Sequence, residues 1–365
     1  MRIVLVTDAW HPQVNGVVRT WTTMQQILEE WGHELIVVNP QGSRTVPAPS
    51  EPDLRLCLQP GRQLRRILGD IVPDALHIAT EGPLGLAARR MALVRGWRFT
   101  TSFHTMFPDY LQARMGIPAA LPWRYLRWFH RPSQRVLVPT PTVRDVLARR
   151  GLTNLQIWSR GVDPRKFQPD ADQAFPDLPR PVFLSVGRVA REKNLDAFLS
   201  LDLPGSKVVV GAGPDEARLK KRFPGAIFMG MRQDEALPAL YGSADVFVFP
   251  SLTDTFGLVM LEAMACGTPV AAFRSEAPLA VVAQGVTGFL DEDLGHACRA
   301  ALALDRHAVR EHALTRSWDS VASTLLAALV PLDGSARGAE MFCVPEEAVP
   351  ARRSGGEMPA REPGV

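Results

Sequence analysis

The sequence predicts an α/β protein made of two doubly wound domains that face a cleft. Its 365 residues, 46% of them hydrophobic, exceed the size at which a single core usually stops growing. Apolar runs of strand length alternate with segments of helical period, and this alternation pauses once and then restarts. We therefore expect a first domain at residues 1–165 and a second domain at residues 166–330.

The strands of the first domain are short, continuous apolar runs, as is typical of parallel strands that are buried on both faces. They are predicted at Ile3–Val6, Leu35–Val38, Ala75–Ile78, Phe99–Ser102, Val136–Val138 and Leu155–Ile157. Segments of helical period lie between them, for example Val17–Glu30 and Leu84–Val94. This order of elements predicts a Rossmann-like domain.

The pause falls on residues 163–181, whose prolines disfavour both a continued helix and a central strand, and it predicts an interdomain linker. Strands then return at Val182–Val186, Lys207–Val210, Ala226–Met229, Val246–Phe249 and Pro269–Ala272. A second Rossmann-like domain is therefore expected. Residues 331–365 are rich in glycine, proline, alanine and charge without periodicity, which predicts a disordered tail.

The cysteines and the N-terminus indicate a cytoplasmic protein. Cys57, Cys266, Cys298 and Cys343 stand alone, without the spacing of a disulfide framework or a structural metal site. The apolar run before Asp8 is too short for the core of a signal peptide. No run of about eighteen apolar residues is present that could span a bilayer.

Charge is unevenly distributed along the chain. Residues 1–165 carry 21 Lys+Arg and 12 Asp+Glu, whereas the remainder carries 20 and 26. A basic half suits nucleic acid, an anionic membrane or an acidic substrate. We expect no nucleic-acid partner, because the sequence lacks a zinc finger, an RNP-like aromatic motif and a Lys/Arg-rich run. A scattered surface of solvated arginines is the alternative.

The segment SLTDTFGLVMLEAMACGTPV, residues 251–270, carries two carboxylates eight positions apart. Asp254 is predicted in the loop after a buried strand, and Glu262 on a helix that begins at about Phe256. Such a loop faces the crevice where α/β domains bind ligands, and carboxylates there accept hydrogen bonds from sugar and ribose hydroxyls. The alternatives are a helix cap for Asp254 and a solvated helix position for Glu262.

The segment VGRVAREKNL, residues 186–195, places Gly187, Arg188 and Lys193 after the first strand of the second domain. An arginine and a lysine held in position stabilise the charge that develops on a diphosphate leaving group, so no divalent metal is required. By itself the pattern also fits cations that are merely solvated.

Three further segments follow strands of the first domain. In DAWHPQVNGVVR, residues 8–19, Asn15 and Gly16 can form a turn that binds phosphate at a helix N-terminus, or an ordinary capped turn. His104 follows a strand and is predicted to point into the cleft, although a lone histidine is more often structural. A turn that contains glycine is predicted at residues 160–163, RGVD.

Together these segments resemble the retaining glycosyltransferases of family four. Residues 254–270 are similar to the family's E-x-F-G-x-x-x-x-E-A-M-A-x-G-x-P-V at every position except the first acid, where Asp254 replaces glutamate. Residues 187–194 are similar to its G-R-x-x-x-x-K-N, and residues 12–19 to its P-x-V-N-G-V-V-R. The resemblance reaches about Trp318 and implies the GT-B fold, with the nucleotide on the second domain and the acceptor on the first.

The resemblance also implies a role for each matching residue. It assigns the donor sugar to Asp254 and His104, the ribose to Glu262, and the diphosphate to Gly16, Arg188 and Lys193. The predicted catalytic residues are His104, Asp254, Arg188 and Lys193, and the predicted donor-binding residues are Gly16, Arg188, Lys193, Asp254 and Glu262. The acceptor or the cleft is assigned to Asp8, Asn15, Arg160 and Asp163. Because Asp254 is one methylene shorter than glutamate, the identity of the hexose stays open.

The segment PWRYLRWFHR, residues 122–131, predicts a helix that mixes aromatic and basic side chains. It fits an interfacial helix on anionic lipid, with predicted membrane contacts at Trp123, Arg124, Arg127, Trp128 and Arg131. The alternative is a helix that packs its aromatic stripe into the domain and solvates its arginines. Many family members that resemble this half of the chain act on lipid acceptors.

We therefore predict a retaining, metal-independent hexosyltransferase without a cofactor, located in the cytoplasm and peripherally on the inner face of the plasma membrane. Its partners are a nucleotide diphosphate sugar, with GDP-mannose favoured over a UDP-hexose, and a membrane lipid. A dinucleotide fingerprint at Gly211 fails because Glu216 occupies the position of its third glycine, and the acidic residues 291–293 fit a solvated turn. The alternatives are a soluble or polysaccharide acceptor, a nucleotide-sugar epimerase or phosphorylase, and a non-catalytic membrane-associated scaffold.

Overall fold

A computed structural model describes residues 1–13, 15–48, 51–104, 118–169, 174–232 and 235–333, with the side chains of residues 51–53 left out. The strands are β1 Arg2–Val6, β2 Glu34–Val38, β3 Thr45–Ala48, β4 Glu51–Cys57, β5 Ala75–Ile78, β6 Thr100–Ser102, β7 Val136–Val138, β8 Leu155–Ile157, β9 Val182–Val186, β10 Ser206–Val210, β11 Ile227–Phe228, β12 Val246–Phe249, β13 Val270–Ala272 and β14 Gly288–Leu290. The predicted tail lies outside the described residues from position 334 onward.

The helices alternate with these strands, as the sequence predicts. They are α1 Gly16–Glu30, α2 Pro60–Leu68, α3 Pro83–Arg95, α4 Ala120–His130, α5 Pro141–Arg149, α6 Leu195–Leu199, α7 Glu216–Arg222, α8 Leu237–Ser243, α9 Leu258–Ala265, α10 Glu276–Val281, α11 Leu294–Ala301, α12 Arg306–Leu314 and α13 Trp318–Ala328. Local chemistry sets their ends: α3, for example, begins at Pro83 and is followed by Gly96, which adopts the left-handed conformation.

The described chain forms two six-stranded parallel sheets, which we call the first and second unit together with the helices that cover them. The strand orders are β2-β1-β5-β6-β7-β8 and β11-β10-β9-β12-β13-β14. The strand order changes direction between β1 and β5 in the first sheet and between β9 and β12 in the second. Ligands bind at such switch points, outside the carboxyl ends of the strands. The predicted pair of doubly wound sheets is confirmed.

Alternate residues of the first sheet pack on opposite faces, as parallel strands buried on both faces require. Val4 and Val6 of β1 pack under α2, α3 and α4. Ile3 and Leu5 pack with α1 and also with α13, the last described helix. The chain therefore returns from the second unit to complete the core of the first. The predicted boundaries at residues 165 and 330 stay a prediction.

The two crossings between the units lie side by side. Val162 forms a parallel bridge with Ser317, and its N–H donates to the Arg316 carbonyl at 3.0 Å. A Cβ on Gly161 would lie 2.5 Å from the backbone N of Trp318. The two crossing segments therefore approach too closely for any side chain at this position. The RGVD segment is thus part of the junction between the units.

Two parts of the sheet structure are absent from the sequence-based prediction. The strand β14 begins at Gly288, which has low strand propensity, and a Cβ there would lie 2.2 Å from the Val270 carbonyl oxygen. The antiparallel pair β3–β4 contains prolines and many polar residues, so it lacks a continuous apolar run. Each of these strands forms by pairing with another strand of the fold, and its own sequence does not contain the apolar run from which a strand was predicted.

Candidate active site

The loops at the second switch point are tied together by charged and polar side chains. Lys193 Nζ lies 2.7 and 2.9 Å from the two carboxylate oxygens of Asp254. The Asn194 side chain donates to the Pro250 carbonyl at 3.1 Å, and Ser251 Oγ donates to the Glu192 carbonyl at 3.3 Å. The loop after β9 and the loop after β12 therefore form one surface at the carboxyl ends of these strands.

Asp254 does not cap a helix. The residue before α9 is Gly257, with φ 76°, and both oxygens of Asp254 contact Lys193 instead. The helix begins at Leu258, two residues later than predicted. A Cβ on Gly257 would lie 2.7 Å from Met260 Cε, the mobile end of a side chain, so the positive φ is what requires glycine at this turn.

Arg188 shares this surface and pairs with Glu192, four positions later in the same loop. The Arg188 side chain is 35% exposed and the Glu192 side chain 10%, so the guanidinium lies nearer to solvent than its partner. Arg188, Lys193 and Asp254 are thus brought together, as the sequence predicts. The alternative that these two cations are merely solvated does not hold, because each has a carboxylate partner.

Glu262 is buried, and the alternative of a solvated helix position does not hold for it. Its Oε1 lies 2.9 Å from the Arg19 guanidinium of the first unit, and its Oε2 accepts from the Tyr241 hydroxyl at 3.0 Å. Burial and the negative charge of Glu262 raise the pKa of Tyr241 well above its usual range. The phenol therefore remains a hydrogen-bond donor at neutral pH.

The turn before α1 is a capped turn, and the phosphate contact assigned to Gly16 stays a prediction. Asn15 Oδ1 accepts from the backbone N–H groups of Val17 and Val18 at 3.0 Å and so caps the helix. Gly16 begins the helix at the first switch point, and a Cβ on it would lie 4.0 Å from Leu258 Cδ1 of the second unit. The start of α1 and the start of α9 therefore face each other across the cleft.

His104 is half-buried in a polar network at the end of β6. Its Nδ1 lies 3.0 Å from the Arg160 guanidinium, which can only donate, so Nδ1 accepts. Its Nε2 lies 2.8 Å from Ser102 Oγ and 3.2 Å from Trp21 Nε1. Burial, followed by the charges of Arg160 and His77, holds the pKa of His104 well below its usual range. The imidazole is therefore neutral at physiological pH.

The backbone of His104 contacts the second unit. Thr255 Oγ1, next to Asp254, donates to the His104 carbonyl at 2.8 Å. The backbone of His104 therefore lies next to the loop that carries Asp254, whereas its imidazole contacts side chains of the first unit.

The other predicted cleft residues have different surroundings. Asp8 does not line the cleft: it is 2% exposed, and its carboxylate accepts from the backbone N–H of Leu84 at 3.0 Å and from Thr80 Oγ1 at 2.8 Å at the start of α3. Asp163 is exposed, and its carboxylate closes a local turn. Arg160 is buried against Trp158 and His104, and burial lowers the pKa of its guanidinium to about 9.

The helix α4 has one buried and one exposed tryptophan. Trp123 is 6% exposed and lies against Phe103 and Arg150, so the predicted membrane contact at Trp123 is wrong: this face of the helix packs on the sheet. Trp128 is 51% exposed and lies under the guanidinium of Arg89. The three other predicted contacts also lie at the surface: Arg124, Arg127 and Arg131.

The helices α2 to α5 cover one face of the first sheet and carry ten arginines and a single acid, Asp145. Nine of these arginines are exposed, and we call them the arginine face: Arg62, Arg65, Arg66, Arg90, Arg95, Arg124, Arg127, Arg144 and Arg149. Exposed apolar side chains lie among them at Leu93, Val94, Leu121 and Trp128. Within the described part of the chain, no helix is long and apolar enough to cross a bilayer.

Four contributors to the site have no role in the sequence-based prediction. Arg19 and Tyr241 hold Glu262, Thr255 joins the units, and Glu192 pairs with Arg188. Arg19, Glu192 and Thr255 lie inside the quoted motifs, but spacing alone does not show which of them face a partner. Tyr241 lies in α8, outside every motif.

Comparison with known proteins identifies relatives along most of the chain. The profile described as Glycosyltransferase Family 4 matches residues 14–166, and that described as Glycosyl transferases group 1 matches residues 180–304. A GDP-mannose-dependent alpha-mannosyltransferase of Mycobacterium tuberculosis is 31% identical over 89% of this chain and 95% of its own length. An alpha-monoglucosyldiacylglycerol synthase of Streptococcus pneumoniae is 28% identical over 74% of this chain and 71% of its own length.

The structural comparison agrees with these relatives on the fold. A sucrose-phosphate synthase from Thermosynechococcus elongatus superposes with a TM-score of 0.74, covering 89% of this chain and 97% of its own, at 19% identity. At that identity the superposition shows a shared fold and leaves the substrates of this chain open.

Proposed function

The chain belongs to glycosyltransferase family 4, has the GT-B fold and is a glycosyltransferase that acts on nucleotide sugars. From this premise we propose that it transfers mannose from GDP-mannose, with retention of anomeric configuration, to a membrane lipid. The mannosyltransferase relative supports the donor, and the relative named as an alpha-monoglucosyldiacylglycerol synthase supports a lipid acceptor.

The cluster at the second switch point is the observation that carries this proposal. Lys193, Asp254 and Arg188 lie on two adjacent loops at the carboxyl ends of β9 and β12, opposite the start of α1. A diphosphate gains negative charge as its bond to the sugar breaks, and cations held in position stabilise that charge in the transition state. Asp254 would accept hydrogen bonds from the sugar beside them.

The charges of the cluster are arranged in advance. Lys193 is oriented by Asp254 and Arg188 by Glu192, so neither cation needs to be ordered when the donor binds. A diphosphate competes with these carboxylates for the same donors, and an incoming phosphate oxygen can share a lysine ammonium because that group has three N–H donors. Closure of the cleft would exclude water that otherwise hydrolyses the donor.

We further propose that the diphosphate needs no divalent metal ion, since Arg188 and Lys193 supply the positive charge. The expected result is that a metal chelator such as EDTA leaves the rate of transfer unchanged, whereas Arg188→Gln lowers it. Loss of transfer with EDTA, restored by added Mg²⁺ or Mn²⁺, would contradict this part of the proposal.

The arginine face supports an anionic membrane as the site of action. Exposed basic side chains near a membrane surface are each worth about 1 kcal/mol of attraction to anionic lipid, and exposed aromatic and aliphatic groups add to it. Four helices contribute to this face, whereas the sequence-based prediction placed the membrane contact on α4 alone. The basic surface is therefore wider than predicted. We place the protein at the inner face of the plasma membrane on this basis.

The proposal is tested by following the sugar into its product. GDP-mannose labelled in the mannose is incubated with the protein and with vesicles that contain phosphatidylinositol or diacylglycerol, and the lipid is extracted. Label in the lipid fraction, with an α-linkage by NMR, is the expected result. Label transferred only to a water-soluble acceptor would overturn the lipid assignment, and free mannose as the sole product would overturn transfer itself.

A further inference from the structure

Arg19 joins the two units at a buried carboxylate. It lies on α1 of the first unit, one turn after the start of that helix, and its guanidinium is 2.9 Å from Glu262 Oε1 on α9 of the second unit. The Glu262 side chain is 6% exposed and that of Arg19 is 26% exposed. A carboxylate this deeply buried is costly unless it is paired and hydrogen-bonded, and Arg19 supplies the pairing charge.

Tyr241 supplies the second donor to Glu262. Its hydroxyl donates to Oε2 at 3.0 Å from α8, on the side of the second unit. An ionised carboxylate has about four acceptor positions, and these two donors occupy one on each oxygen. The hydroxyls of a ribose would share the acceptor positions of this carboxylate with Arg19 and Tyr241.

We infer that Arg19 is a positioning residue for nucleotide recognition, acting through Glu262 from across the cleft. The inference rests on the proposed function, in which Glu262 binds the ribose of the donor. Arg19 pairs with the carboxylate and fixes the orientation of its oxygens. The ribose site is thus complete only when the two units are in contact, so nucleotide binding and that contact strengthen each other.

A second contact supports this coupling. Thr255 Oγ1 of the second unit donates to the His104 carbonyl of the first at 2.8 Å. Thr255 lies beside Asp254, whereas the Arg19 contact is made by Glu262, eight positions after Asp254. The segment from Asp254 to Glu262 therefore contacts the first unit near both of its ends.

The test is a double-mutant cycle on nucleotide affinity, with GDP and UDP as the probes in isothermal titration calorimetry. Arg19→Met is expected to weaken binding of the preferred nucleotide about 10- to 100-fold, the usual effect of losing a hydrogen bond to a charged group. Arg19→Lys is expected to restore part of this loss. In a Glu262→Gln background, Arg19→Met is expected to have little further effect, because the partner charge is already absent.

Arg2→Met is the matched control. Arg2 also pairs with a glutamate of the first unit at 2.9 Å, but that pair is exposed, with side-chain exposures of 47% and 60%. Its removal should leave nucleotide affinity unchanged. Steady-state kinetics give a second measure: Arg19→Met should raise the KM for the donor more than it lowers kcat, whereas loss of folded protein would lower kcat alone.

The outcomes separate this inference from the proposed function. Wild-type affinity in Arg19→Met, or an equal loss in both backgrounds of the cycle, would overturn the role through Glu262 and leave the proposed function standing. Failure of the folded wild type to bind either nucleotide would overturn the proposed function and this inference together. If Arg19→Met melts far below the wild type, the Arg19→Lys variant alone decides, because it keeps the charge and changes the geometry.

Discussion

Each charged residue of the candidate site has a partner in the protein. Lys193 contacts Asp254, Arg188 contacts Glu192, and Glu262 contacts Arg19 and Tyr241. Pairing keeps the two proposed phosphate-binding cations and the ribose carboxylate in fixed orientations. The energetic consequence is that removal of one partner leaves a charge uncompensated, which costs more than an exposed ion pair contributes.

The two carboxylates of the motif are expected to affect different steps. Glu262→Ala should weaken nucleotide binding about 10- to 100-fold, because the proposed charged acceptor of the ribose hydroxyls is lost. Asp254→Ala should lower turnover by roughly 100-fold while affecting nucleotide affinity much less, because its proposed contact is to the sugar and its observed contact is to Lys193. Calorimetry with GDP and initial rates with GDP-mannose separate the effects. Wild-type activity in both variants would contradict the site assignment.

His77 is expected to make the protein less stable in acid. It is buried beneath Trp21, where burial, followed by the charge of His130, lowers its pKa to about 3. The unfolded chain protonates this histidine below its usual pKa of about 6.5, whereas the folded chain does not, so stability falls as the pH falls from 6.5 towards 3. The loss is about 1.4 kcal/mol per pH unit, or roughly 2 kcal/mol between pH 6.5 and 5.

Urea unfolding at pH 7, 6 and 5 measures this effect. His77→Gln should reduce the slope of the unfolding free energy against pH by about 1.4 kcal/mol per pH unit, which is the contribution of one bound proton. This change in slope is expected whatever the stability of the variant at pH 7. His307→Gln is the control for substitution of an exposed histidine, since the side chain of His307 is 78% exposed. Equal slopes for His77→Gln and the wild type would show that His77 titrates normally in the folded protein.

The motif residues could be predicted from the sequence because they follow strands. Lys193 and Asp254 come after strands that are neighbours in the second sheet, and the carboxyl ends of parallel strands meet at one edge. The Arg19–Glu262 contact could not be predicted in this way, since it depends on how the two units face each other. Asp8 was assigned to the acceptor or the cleft, but its carboxylate turns inward to the start of α3.

At the scale of elements, α4 shows why an aromatic stripe does not define a surface. The helix carries apolar side chains on more than one side, so sequence periodicity leaves open which tryptophan meets the sheet. Trp123 packs against Phe103, whereas Trp128 lies outside under Arg89. The packing of α4 on its own sheet, rather than its composition, decides which of its side chains stay exposed and could contact a membrane.

The two tryptophans of α4 are therefore expected to have opposite effects on substitution. Trp123→Ala should cost about 3–5 kcal/mol of stability, because it opens a cavity in the core. Trp128→Ala should change stability by less than about 1 kcal/mol and weaken binding to anionic vesicles. Thermal melting and vesicle co-sedimentation measure the two quantities. Unchanged sedimentation of Trp128→Ala would remove this side chain from the membrane surface.

At the scale of the whole molecule, the chain crosses between the units twice at adjacent positions. The first crossing contains Gly161 and Val162, and the second contains Ser317, after which α13 packs on the first sheet. Trp158 Nε1 donates to the Val321 carbonyl at 3.0 Å, which ties the end of the first unit to this returning helix. The first unit is therefore completed by residues near the end of the described chain.

Two truncations test this dependence. A chain that ends after Ser317 lacks α13 and should lose the near-UV signature of buried tryptophans, because Trp21 and Trp158 then lack their cover. A chain that ends after Asp333 keeps α13 and should melt like the full chain, as the composition of the tail predicts. Equal melting temperatures for all three chains would contradict the role of α13 in the first core.

The fold could be predicted largely from the sequence because both sheets consist of apolar runs separated by helical periods. Every predicted strand matches an observed strand with its ends within one residue, for example Val182–Val186 and Val246–Phe249. The return of α13 to the first unit could not be predicted, because its helical pattern says nothing about which sheet it covers. Long-range packing of this kind is set by the tertiary structure.

The most direct test of the central claim is a donor screen that follows the release of nucleotide diphosphate. The purified protein is given GDP-mannose, UDP-glucose, UDP-galactose or UDP-glucuronate, each with and without anionic lipid vesicles, with Asp254→Ala as the inactive control. We expect GDP release from GDP-mannose that rises with the vesicles and is largely lost in the variant. No release from any donor, or equal release by the wild type and Asp254→Ala, would contradict the account.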